Sequence, residues 1–468
     1  MEELLNQKMD EYYHNIVSDI QELIKIRSVL DEENSSEKAP FGREIDEALR
    51  FVLERGKELG LKTKNVDGYA GYIEIGTGQE MVGILGHVDV VPEGKGWSVD
   101  PYGGEIRDGR LYGRGSIDDK GPIVTCLYAL KAIQESGLPT KKRARLIVGT
   151  DEETSGRCIK YYLQKEEKPV CGFSPDGNFP IIYAEKGILR FEIIKEFKAN
   201  DMQKSTGPII KSIKGGSRVN VVPDYAEAYI QGLKLDIIQN KIREKGLESK
   251  LAAEHIRDGV LLKAYGVSAH AMQPDEGLNA IQLLMVFLKC LDFGPSEVKQ
   301  FIDFISSKLK METDGECLGI ACQDEISGNL TLNTGIVDVD NKRAIIKFDI
   351  RYPVTEDANK IIQRLKEVAS EAKAQLNILQ HKLPLHVDKD SFLIKKLQHV
   401  YKEMTNEDPI LISIGGGTYC RYVENTVSFG PVFPGQKELA HQKDEHVRLQ
   451  DLDKMAKIYA QAIYELIK

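Results

Sequence analysis

Long apolar runs are missing from this sequence of 468 residues. No stretch approaches the roughly 20 consecutive apolar residues that a membrane-spanning helix needs. The segment 1–26 is rich in Glu, Asp and Lys and lacks an apolar centre, so it does not have the pattern of a signal peptide. We therefore expect a cytoplasmic protein that has no membrane partner.

Cysteine pairs with the spacing of a metal site or of a disulfide framework are also missing. The seven cysteines are scattered, and no two of them form a Cys-x-x-Cys pair. Only Cys317 and Cys322 lie close together, and no second pair matches them. A disulfide framework and a cysteine zinc knuckle are both unexpected, and reduced thiols in a cytoplasm are the simpler interpretation.

The sequence has no excess of basic residues. It contains 63 Lys and Arg against 72 Asp and Glu, which gives a net charge of −9. A nucleic-acid-binding protein needs a basic surface to displace counterions, so we expect no nucleic-acid partner. The hydrophobic content of 41% is enough to build buried cores, and the length predicts two or more domains.

The predicted elements divide the chain into two kinds of region. In the first part, helices and strands alternate in a way that is typical of an α/β sheet. Helices are predicted at 8–27, 43–60 and 121–136, and strands at 72–75, 82–85, 145–149 and 170–174. The same character returns around residue 385, with strands at 409–414 and 426–429 and a closing helix at 451–467.

The middle of the chain has a different pattern. Alternating apolar and polar residues predict strands of a more antiparallel α+β region, together with a long amphipathic helix at 279–291. The strands are predicted at 189–194, 225–230, 260–265 and 343–350, and charged stretches at 195–204 and 236–254 are expected to be solvated loops or helices.

Five short motifs combine histidine and acidic residues. They are Gly86-His87-Val88-Asp89, the segment 113–121 with Asp118-Asp119, Asp151-Glu152-Glu153, Pro175-Asp176-Gly177 and the segment 440–445 with His441. Imidazole nitrogen and carboxylate oxygen are the ligands that hold hydrolytic Zn²⁺, or Mn²⁺ and Co²⁺ in looser sites. Each motif follows an apolar run, where an α/β fold places its chemistry. The sequence therefore predicts a two-metal hydrolase.

The distribution of these motifs predicts the domain organisation, because they occupy both ends of the chain and skip the middle. We expect a discontinuous catalytic domain made of 1–187 and 385–468, with an inserted lid domain at 188–384. The expected fold class is an α/β catalytic domain with a central, mostly parallel sheet and a dinuclear metal site, interrupted by an α+β lid.

The motifs near His87 and Asp118 leave two points open. His87 is a candidate ligand, and Asp89 is placed to orient its ring and raise its basicity. Asp118 and Asp119 could simply complement a helix dipole, or one of them could bridge two metal ions roughly 3.5–4 Å apart. The segment lacks the Gly-Lys-Ser/Thr ending of a phosphate loop, and its acidic pair would repel phosphate.

The remaining motifs also offer more than one assignment. Three acids in a row at 151–153 repel one another unless a cation neutralises them, so either the segment is a solvated turn or one Glu binds metal. The neighbouring Glu would then be free to accept a proton from a metal-bound water. Asp176 is a ligand or a turn residue, and either His441 or His446 could complete the site.

Three features outside these motifs are candidates for substrate contacts. His270 lies among small residues in Gly266-Val267-Ser268-Ala269-His270-Ala271 and is sterically free. Arg351 follows the strand predicted to end at residue 350, and its guanidinium offers a bidentate fork for a carboxylate. The backbone amides of Gly415-Gly416-Gly417-Thr418 could form an anion-binding nest.

Taken in order, the five motifs resemble those of the M20 family of metallopeptidases, and the resemblance spans essentially the whole chain. Within the family, the chain is most similar to the bacterial dipeptidase V branch, which is Xaa-His dipeptidase-like and carnosinase-like. The segments that favour this branch are Ala184-Glu185-Lys186-Gly187, Gly415-Gly416-Gly417-Thr418-Tyr419 and Ala440-His441-Gln442-Lys443-Asp444-Glu445-His446.

The resemblance implies roles for individual residues. Two Zn²⁺ ions per chain are expected, with Mn²⁺ or Co²⁺ as alternatives. The implied metal ligands are Asp118 as the bridge, His87 with Glu153 on the first ion, and Asp176 with His441 on the second. Glu152 would be the general base, with Asp89 supporting His87. His270 would stabilise the oxyanion, and the substrate's C-terminal carboxylate would be held by Asn220, Arg351, Gly415 and Gly416.

The resemblance also implies an activity and an oligomeric state. We expect a metal-dependent dipeptidase whose partner is a dipeptide substrate. An N-acyl amino acid deacylase or desuccinylase would need the same metals and base, and an inactive peptide-binding relative is the other alternative. Dimeric members borrow the lid histidine from a partner subunit, but this lid is long enough for two subdomains. His270 could therefore act within its own chain, so a monomer is expected.

Overall fold

The computed structural model describes residues 1–198 and 206–468. The α-helices are numbered α1 to α10 in chain order. They are α1 Glu3–Lys25, α2 Arg43–Glu58, α3 Lys120–Ser136, α4 Arg157–Lys165, α5 Leu235–Glu244, α6 Ala280–Leu288, α7 Glu297–Leu309, α8 Ala358–Glu371, α9 Phe392–Thr405 and α10 Leu449–Ile467, with short 3-10 helices at Pro274–Glu276 and Tyr419–Tyr422.

The strands are numbered β1 to β22 in the same way. They are β1 Lys62–Val66, β2 Ala70–Ile75, β3 Met81–His87, β4 Ile106–Arg107, β5 Arg110–Tyr112, β6 Arg143–Gly149, β7 Cys171–Ser174, β8 Ile181–Glu185, β9 Gly187–Glu196, β10 Ile209–Gly215, β11 Tyr225–Gln231, β12 Leu251–Ile256, β13 Gly259–Tyr265, β14 Gln323–Asp324, β15 Gly328–Asn329, β16 Thr331–Val339, β17 Arg343–Tyr352, β18 Gln375–Lys382, β19 Leu385–His386, β20 Leu411–Ile414, β21 Thr426–Ser428 and β22 His446–Arg448.

The chain forms two compact units. The first consists of 1–184, 386–412 and 417–468, and the second consists of 185–385 and 413–416. The boundaries expected from the sequence, at 187/188 and 384/385, lie within three residues of these divisions. The segment 413–416 belongs to the second unit, although the sequence assigned it to the catalytic domain.

The first unit is built on a mixed sheet with the order β1-β2-β6-β3-β7-β21-β8-β19, in which β20 also pairs with β8. Its centre is parallel, because β3 pairs in parallel with β6 and β7, and β21 pairs in parallel with β7. The pairings of β1 with β2 and of β2 with β6 are antiparallel. The α/β fold class is confirmed, with parallel pairing concentrated at the centre.

Helices cover both faces of this central sheet. Leu85 packs in one core cluster with Ile159 and Tyr162 of α4. Gly86 points the other way, and a Cβ at this position would lie 2.8 Å from Ile123 of α3. Because successive strand residues face opposite sides, α3 and α4 lie on opposite faces. The central strands are buried on both sides, which explains why their sequences are continuous apolar runs.

The second unit is an antiparallel eight-stranded sheet with the order β12-β13-β11-β10-β16-β17-β9-β18. Helices α6 and α7 contribute to its core, together with apolar residues from the strands. The helix predicted at 279–291 is present as α6, but it ends at Leu288 and is not amphipathic, because eight of its nine residues are buried. It is a core helix that Asn279 caps by accepting from the amides of Ile281 and Gln282.

The charged stretches of the second unit were expected to be solvated loops or helices, and the structure places strand residues in them as well as a helix. Glu196 ends strand β9, and the stretch predicted at 236–254 contains most of helix α5 and part of strand β12. Residues 199–204 of the other stretch lie outside the described residues. Within the part of the chain that the structure describes, no helix has the length and apolarity to cross a membrane.

Candidate functional site

Three of the predicted site segments follow neighbouring strands of the central sheet. His87 is the last residue of β3, the pair Glu152 and Glu153 follows β6, and Asp176 follows β7. Because β3 is parallel to both β6 and β7, these segments meet at the same edge of the sheet. This is the carboxyl edge, where open α/β sheets bind their ligands.

Asp118 lies between the two predicted histidines of the first unit. Its loop leads into α3, and His441 lies in the loop before β22. The Asp118 Oδ1 atom is 3.1 Å from His87 Nε2, and Asp118 Oδ2 is 3.1 Å from His441 Nε2. One carboxylate thus presents each of its oxygens to a different imidazole, which is the geometry that a bridging ligand requires.

The candidate ligands form two groups, in each of which the ligand atoms lie within 4.8 Å of one another. His87, Glu152 and Asp176 make the first group, called here the His87 cluster. Asp118, Glu153 and His441 make the second, called here the His441 cluster. A third group, Glu312, Asp314 and Glu316, consists of carboxylates that are mostly exposed on the second unit.

This grouping differs from the pairing that the resemblance implied. Glu153 was expected beside His87, but its Oε2 atom lies 2.9 Å from His441 Nε2. Asp176 was expected beside His441, but its Oδ2 atom lies 3.8 Å from His87 Nε2. The expected pairing is therefore wrong, because the turn after β6 directs Glu153 towards the C-terminal loop while Asp176 follows a strand adjacent to β3.

Two atoms at the centre of the site are buried without hydrogen-bond partners. Among the described residues, neither His87 Nε2 nor Asp118 Oδ1 has one, although these atoms face each other. Buried polar atoms are normally hydrogen-bonded, and each such exception calls for an explanation. Imidazole nitrogens and carboxylate oxygens converging in this way have the donor chemistry of a divalent-cation site, so the residues fit a metal.

Three carboxylates of the two clusters, those of Glu152, Glu153 and Asp176, are destabilised as anions, whereas the contacts with His441 and His87 lower the pKa of Asp118 despite its burial. Burial, followed by the charges of Asp176 and Glu153, raises the pKa of Glu152 well above its usual range. Burial and the charge of Asp118 likewise raise the pKa of Asp176, and they raise that of Glu153 to about 7. Crowded carboxylates of this kind are relieved by a bound cation, which reverses the local pKa preference.

The surroundings of the two histidines, by contrast, favour the charged form of the side chain. Burial disfavours the charged form of His441, but hydrogen bonds to Asp118 and Glu153 outweigh it and raise its pKa to about 11. Burial of His87 is also outweighed, by Asp118, Asp176 and Asp89, so its pKa lies well above the usual value. Positive charge is therefore strongly favoured at both histidine positions.

Asp89 supports the site through its backbone and its side chain. Its carbonyl oxygen lies 2.9 Å from His87 Nδ1, whereas its carboxylate is 3.5 Å from that atom. The carboxylate accepts hydrogen bonds from the amides of Glu152 and Glu153, at 3.2 and 3.1 Å. Asp89 thus fixes the His87 ring with its carbonyl and the Glu152-Glu153 turn with its carboxylate.

The alternative residues of two motifs occupy other positions. Asp119 is fully buried and accepts a hydrogen bond from the backbone amide of His87 at 3.2 Å. His446 lies on β22, with Nδ1 2.8 Å from the carbonyl oxygen of Asp444. Among the described residues, neither side chain belongs to a group that could hold a metal.

The other predicted site residues lie in the second unit, where two of them are adjacent. Asn220 accepts a hydrogen bond through its carbonyl oxygen from the amide of Ala271 at 3.0 Å. This contact places Asn220 beside His270, whose Nδ1 accepts from the amide of Met272 at 3.1 Å. Desolvation and the charge of Arg351 lower the pKa of His270, so its neutral form is favoured.

Arg351 is more constrained than the sequence indicated. It is 2% exposed, and its Nε and Nη2 atoms donate to the Asp349 carboxylate at 2.5 and 3.1 Å. Its Nη1 atom donates to the carbonyl oxygen of Gly415 at 2.6 Å. The guanidinium therefore holds the glycine segment containing Gly415 and Gly416, with part of its fork already engaged by Asp349.

Two buried residues near the site lie in segments that carry the resemblance, but the sequence assigned no role to either of them. The Tyr419 ring centroid is 6.0 Å from that of His87, and its hydroxyl lies 2.8 Å from Cys158 Sγ. Glu445 is fully buried, and burial and the charge of Asp118 raise its pKa to about 7 against the opposing effect of Arg114. Their neighbours come from distant parts of the chain, which a local pattern does not reveal.

Comparison of the sequence with known proteins finds both a matching family and a similar relative. The model of Peptidase family M20/M25/M40 matches residues 83–465. A Bacillus subtilis (strain 168) protein named "Putative dipeptidase YtjP" is 43% identical over 457 residues, which cover 97% of each chain.

Two solved structures resemble the chain over nearly its full length. Human carnosine dipeptidase 1 matches with a TM-score of 0.59 and 15% identity, covering 99% of this chain and 98% of that one. Aminoacylhistidine dipeptidase from Vibrio alginolyticus matches with a TM-score of 0.59 and 13% identity, covering 96% of both chains. At these identities the likeness establishes a shared fold.

Proposed function

This chain belongs to peptidase family M20/M25/M40, as its motifs indicated, and we propose that it is a metal-dependent dipeptidase. One observation carries the proposal: Asp118 presents one oxygen to His87 and the other to His441 at the carboxyl edge of the central sheet. Two cation positions that share a carboxylate are typical of two-metal hydrolytic sites.

We assign the metal ligands according to the observed grouping. His87 and Asp176 would hold one ion, Glu153 and His441 would hold the other, and Asp118 would bridge both. Two Zn²⁺ ions suit this set of nitrogen and oxygen donors, and Mn²⁺ or Co²⁺ would also be accepted. Bound divalent cations at such a site polarise the scissile carbonyl and lower the pKa of a coordinated water.

Glu152 is the proposed general base. Its carboxylate would accept a proton from the attacking water and deliver it to the nitrogen of the leaving amine. Asp89 would orient this step, since its carboxylate holds the amides of both Glu152 and Glu153.

Residues of the second unit would bind and orient the substrate, as part of a lid. His270 would donate a hydrogen bond to the developing oxyanion, for which a neutral imidazole is suitable. Asn220, Arg351 and the amides of Gly415 and Gly416 would hold the C-terminal carboxylate of the substrate. Binding the C-terminal carboxylate at a fixed distance from the metal site would exclude peptides longer than two residues.

The dipeptide preference is supported by the name of the Bacillus subtilis relative, which is similar along its whole length. An N-acyl amino acid deacylase would use the same ligands and base, so the site alone does not separate these two activities. An inactive peptide-binding relative would not need to retain Glu152 beside a complete ligand set.

Metal analysis followed by a substrate screen tests the proposal. Purified protein should contain two divalent ions per chain and should hydrolyse dipeptides much faster than tripeptides or N-acyl amino acids. Preferential hydrolysis of N-acyl amino acids would favour the deacylase. Protein that binds two ions but cleaves none of these substrates would favour the inactive relative.

The oligomeric state is part of the same proposal. With His270 supplied by its own chain, the enzyme would act as a monomer. Sedimentation at micromolar concentration should give a single species near the mass of one chain. A tight dimer under these conditions would contradict this part of the proposal.

A further inference from the structure

The Glu445 carboxylate makes an unusually complete set of contacts for a buried acid. It is 0% exposed, and its Oε2 atom accepts from Arg114 Nη1 at 2.5 Å. Its Oε1 atom lies 3.0 Å from the amides of Gly115 and Ile117, and 3.3 Å from the amide of Asp118. Burying a carboxylate is costly unless it is paired and hydrogen-bonded, and these donors offset that cost.

These contacts join the two segments that carry Asp118 and His441. The carbonyl oxygen of Glu445 also accepts from the amide of Gly113 at 3.0 Å, and the next residue, His446, pairs with Tyr112 in the sheet formed by β22 and β5. Glu445 lies four residues after His441 and directly contacts the amide of Asp118. It therefore fixes the Asp118 loop against the end of the His441 loop.

Arg114 is itself held in a defined position. It is 1% exposed, and its guanidinium lies 5.3 Å from the centre of the Trp97 ring. Its Nη2 atom also approaches the carbonyl oxygens of Pro92 and Glu93 at 3.5 Å. Glu445 and Arg114 thus form a rigid pair behind the ligands, although neither side chain is itself a candidate ligand.

A buried ion pair is weak evidence for stability, because well-packed apolar residues often replace one without loss. Directional contacts from a carboxylate to successive loop amides fix the loop geometry, which apolar packing would not do. We propose that Glu445, supported by Arg114, is a positioning residue that sets the separation of Asp118 and His441 and so determines metal affinity at the His441 cluster. This inference depends on the proposed two-metal function.

The variant Glu445→Gln tests the inference, because it keeps the side-chain size and removes the charge. Residues that orient metal ligands typically affect metal affinity by about 10–100-fold. Calorimetric titration of Zn²⁺ into metal-free protein should therefore show the ion at the His441 cluster weakened by about this factor, and the other ion, which shares only Asp118 with it, weakened less. Activity lost at low Zn²⁺ concentration should be recovered at high Zn²⁺, which a general loss of folding would not allow.

Glu74→Gln is the matched control. Glu74 is 3% exposed and is paired with the buried Arg145 at 2.7 Å, as Glu445 is paired with Arg114. It lies opposite Arg145 on β6, whereas His87 lies opposite Gly149 at the other end of that strand. Glu74→Gln should lower the melting temperature without changing the affinity for either ion. Equal weakening of metal binding by both variants would overturn the inference.

Arg114→Lys provides a second variant in case Glu445→Gln does not fold. It keeps the charge but loses the planar fork, so the same ion should be weakened to a smaller extent. Two ions in the wild type and unchanged affinities in both Glu445→Gln and Arg114→Lys would overturn this inference alone. A wild-type protein that binds fewer than two ions would overturn the proposed function and this inference with it.

Discussion

The two clusters of candidate ligands are held in place in different ways. In the His87 cluster, His87 ends a central strand and is 1% exposed, and Asp176 follows the adjacent strand. In the His441 cluster, the His441 side chain is 51% exposed and its backbone adopts a φ of 63° in the loop before β22. One cluster is built on the sheet, and the other depends on a loop.

This difference predicts unequal behaviour of the two metal positions. Groups placed on strands are held by the ladder and by the core, so the His87 cluster is formed before any ion binds. Loops open more readily than core strands, so the His441 cluster should be the more labile half. Asp118 couples the two, since each of its oxygens faces a different histidine.

The largest effect is expected for Glu152→Gln, which tests whether Glu152 is a base or a ligand of the His87 cluster. Loss of the proposed base should lower kcat by about 10²–10⁴-fold, while both ions remain bound. Elemental analysis measures the metal content, and steady-state kinetics on the same sample measure kcat. A variant that lost one ion would show that the His87 cluster uses Glu152 as a ligand.

A smaller loss of turnover is expected for His270→Ala. Removing a hydrogen-bond donor to an oxyanion typically costs about 10²–10³-fold in kcat. Because His270 belongs to neither cluster, the content and affinity of both ions should not change. If metal binding fell more than turnover, His270 would have to be reassigned to the metal site, and the division into two clusters would be incomplete.

The next comparison is between His87→Ala and His441→Ala in metal-free protein. The first removes a buried imidazole that faces the carboxylates of Asp118 and Asp176 and leaves their charge uncompensated, which should lower stability by about 1–3 kcal/mol. The second leaves Asp118 and Glu153 without the imidazole that they contact, but the removed side chain is half exposed and lies on a loop, so this change should destabilise the protein less than His87→Ala does. Urea unfolding after treatment with a chelator measures both.

Each of these variants should lose one ion, and His446→Ala is the control. His446 lies on β22, close to His441 in sequence, but outside both clusters. It should retain two ions with the wild-type affinities. Equal destabilisation by His87→Ala and His441→Ala would remove the distinction between a sheet-borne and a loop-borne cluster.

The parts of the site that lie on the central sheet were predictable from local patterns. Buried parallel strands read as apolar runs, so the positions where β3, β6 and β7 end could be placed closely. His87, Glu152 and Asp176 follow from those ends, because the carboxyl edge of a parallel sheet gathers them. The identity of the candidate ligands in the first unit could therefore be inferred before their geometry was known.

The pairing of the ligands was not predictable, because it depends on contacts between distant segments. Glu152 and Glu153 are adjacent in sequence, but they contribute to different clusters. Their turn is held by the Asp89 carboxylate, which lies more than sixty residues earlier. Glu445 stands among charged residues and would be expected at the surface, but Arg114, 331 residues away, provides its partner in the interior.

Removal of the metal ions by a chelator gives the smallest predicted effect and compares the clusters directly. The ion at the His441 cluster should leave first, because this histidine is half exposed and lies on a loop. We expect its release to be faster by about tenfold, equivalent to ~1.4 kcal/mol in the barrier. Stopped-flow chelation with a coloured indicator should then show two phases, with an amplitude of one ion each.

The variant His441→Ala assigns these phases to positions. If the fast phase comes from the His441 cluster, this variant should release one ion in a single slow phase at the wild-type rate. A fast phase that persists in His441→Ala would place the labile ion at the His87 cluster instead. Burial on the sheet would then not determine the rate at which an ion is released. The shared ligand Asp118 would instead have to determine the release rates at both positions.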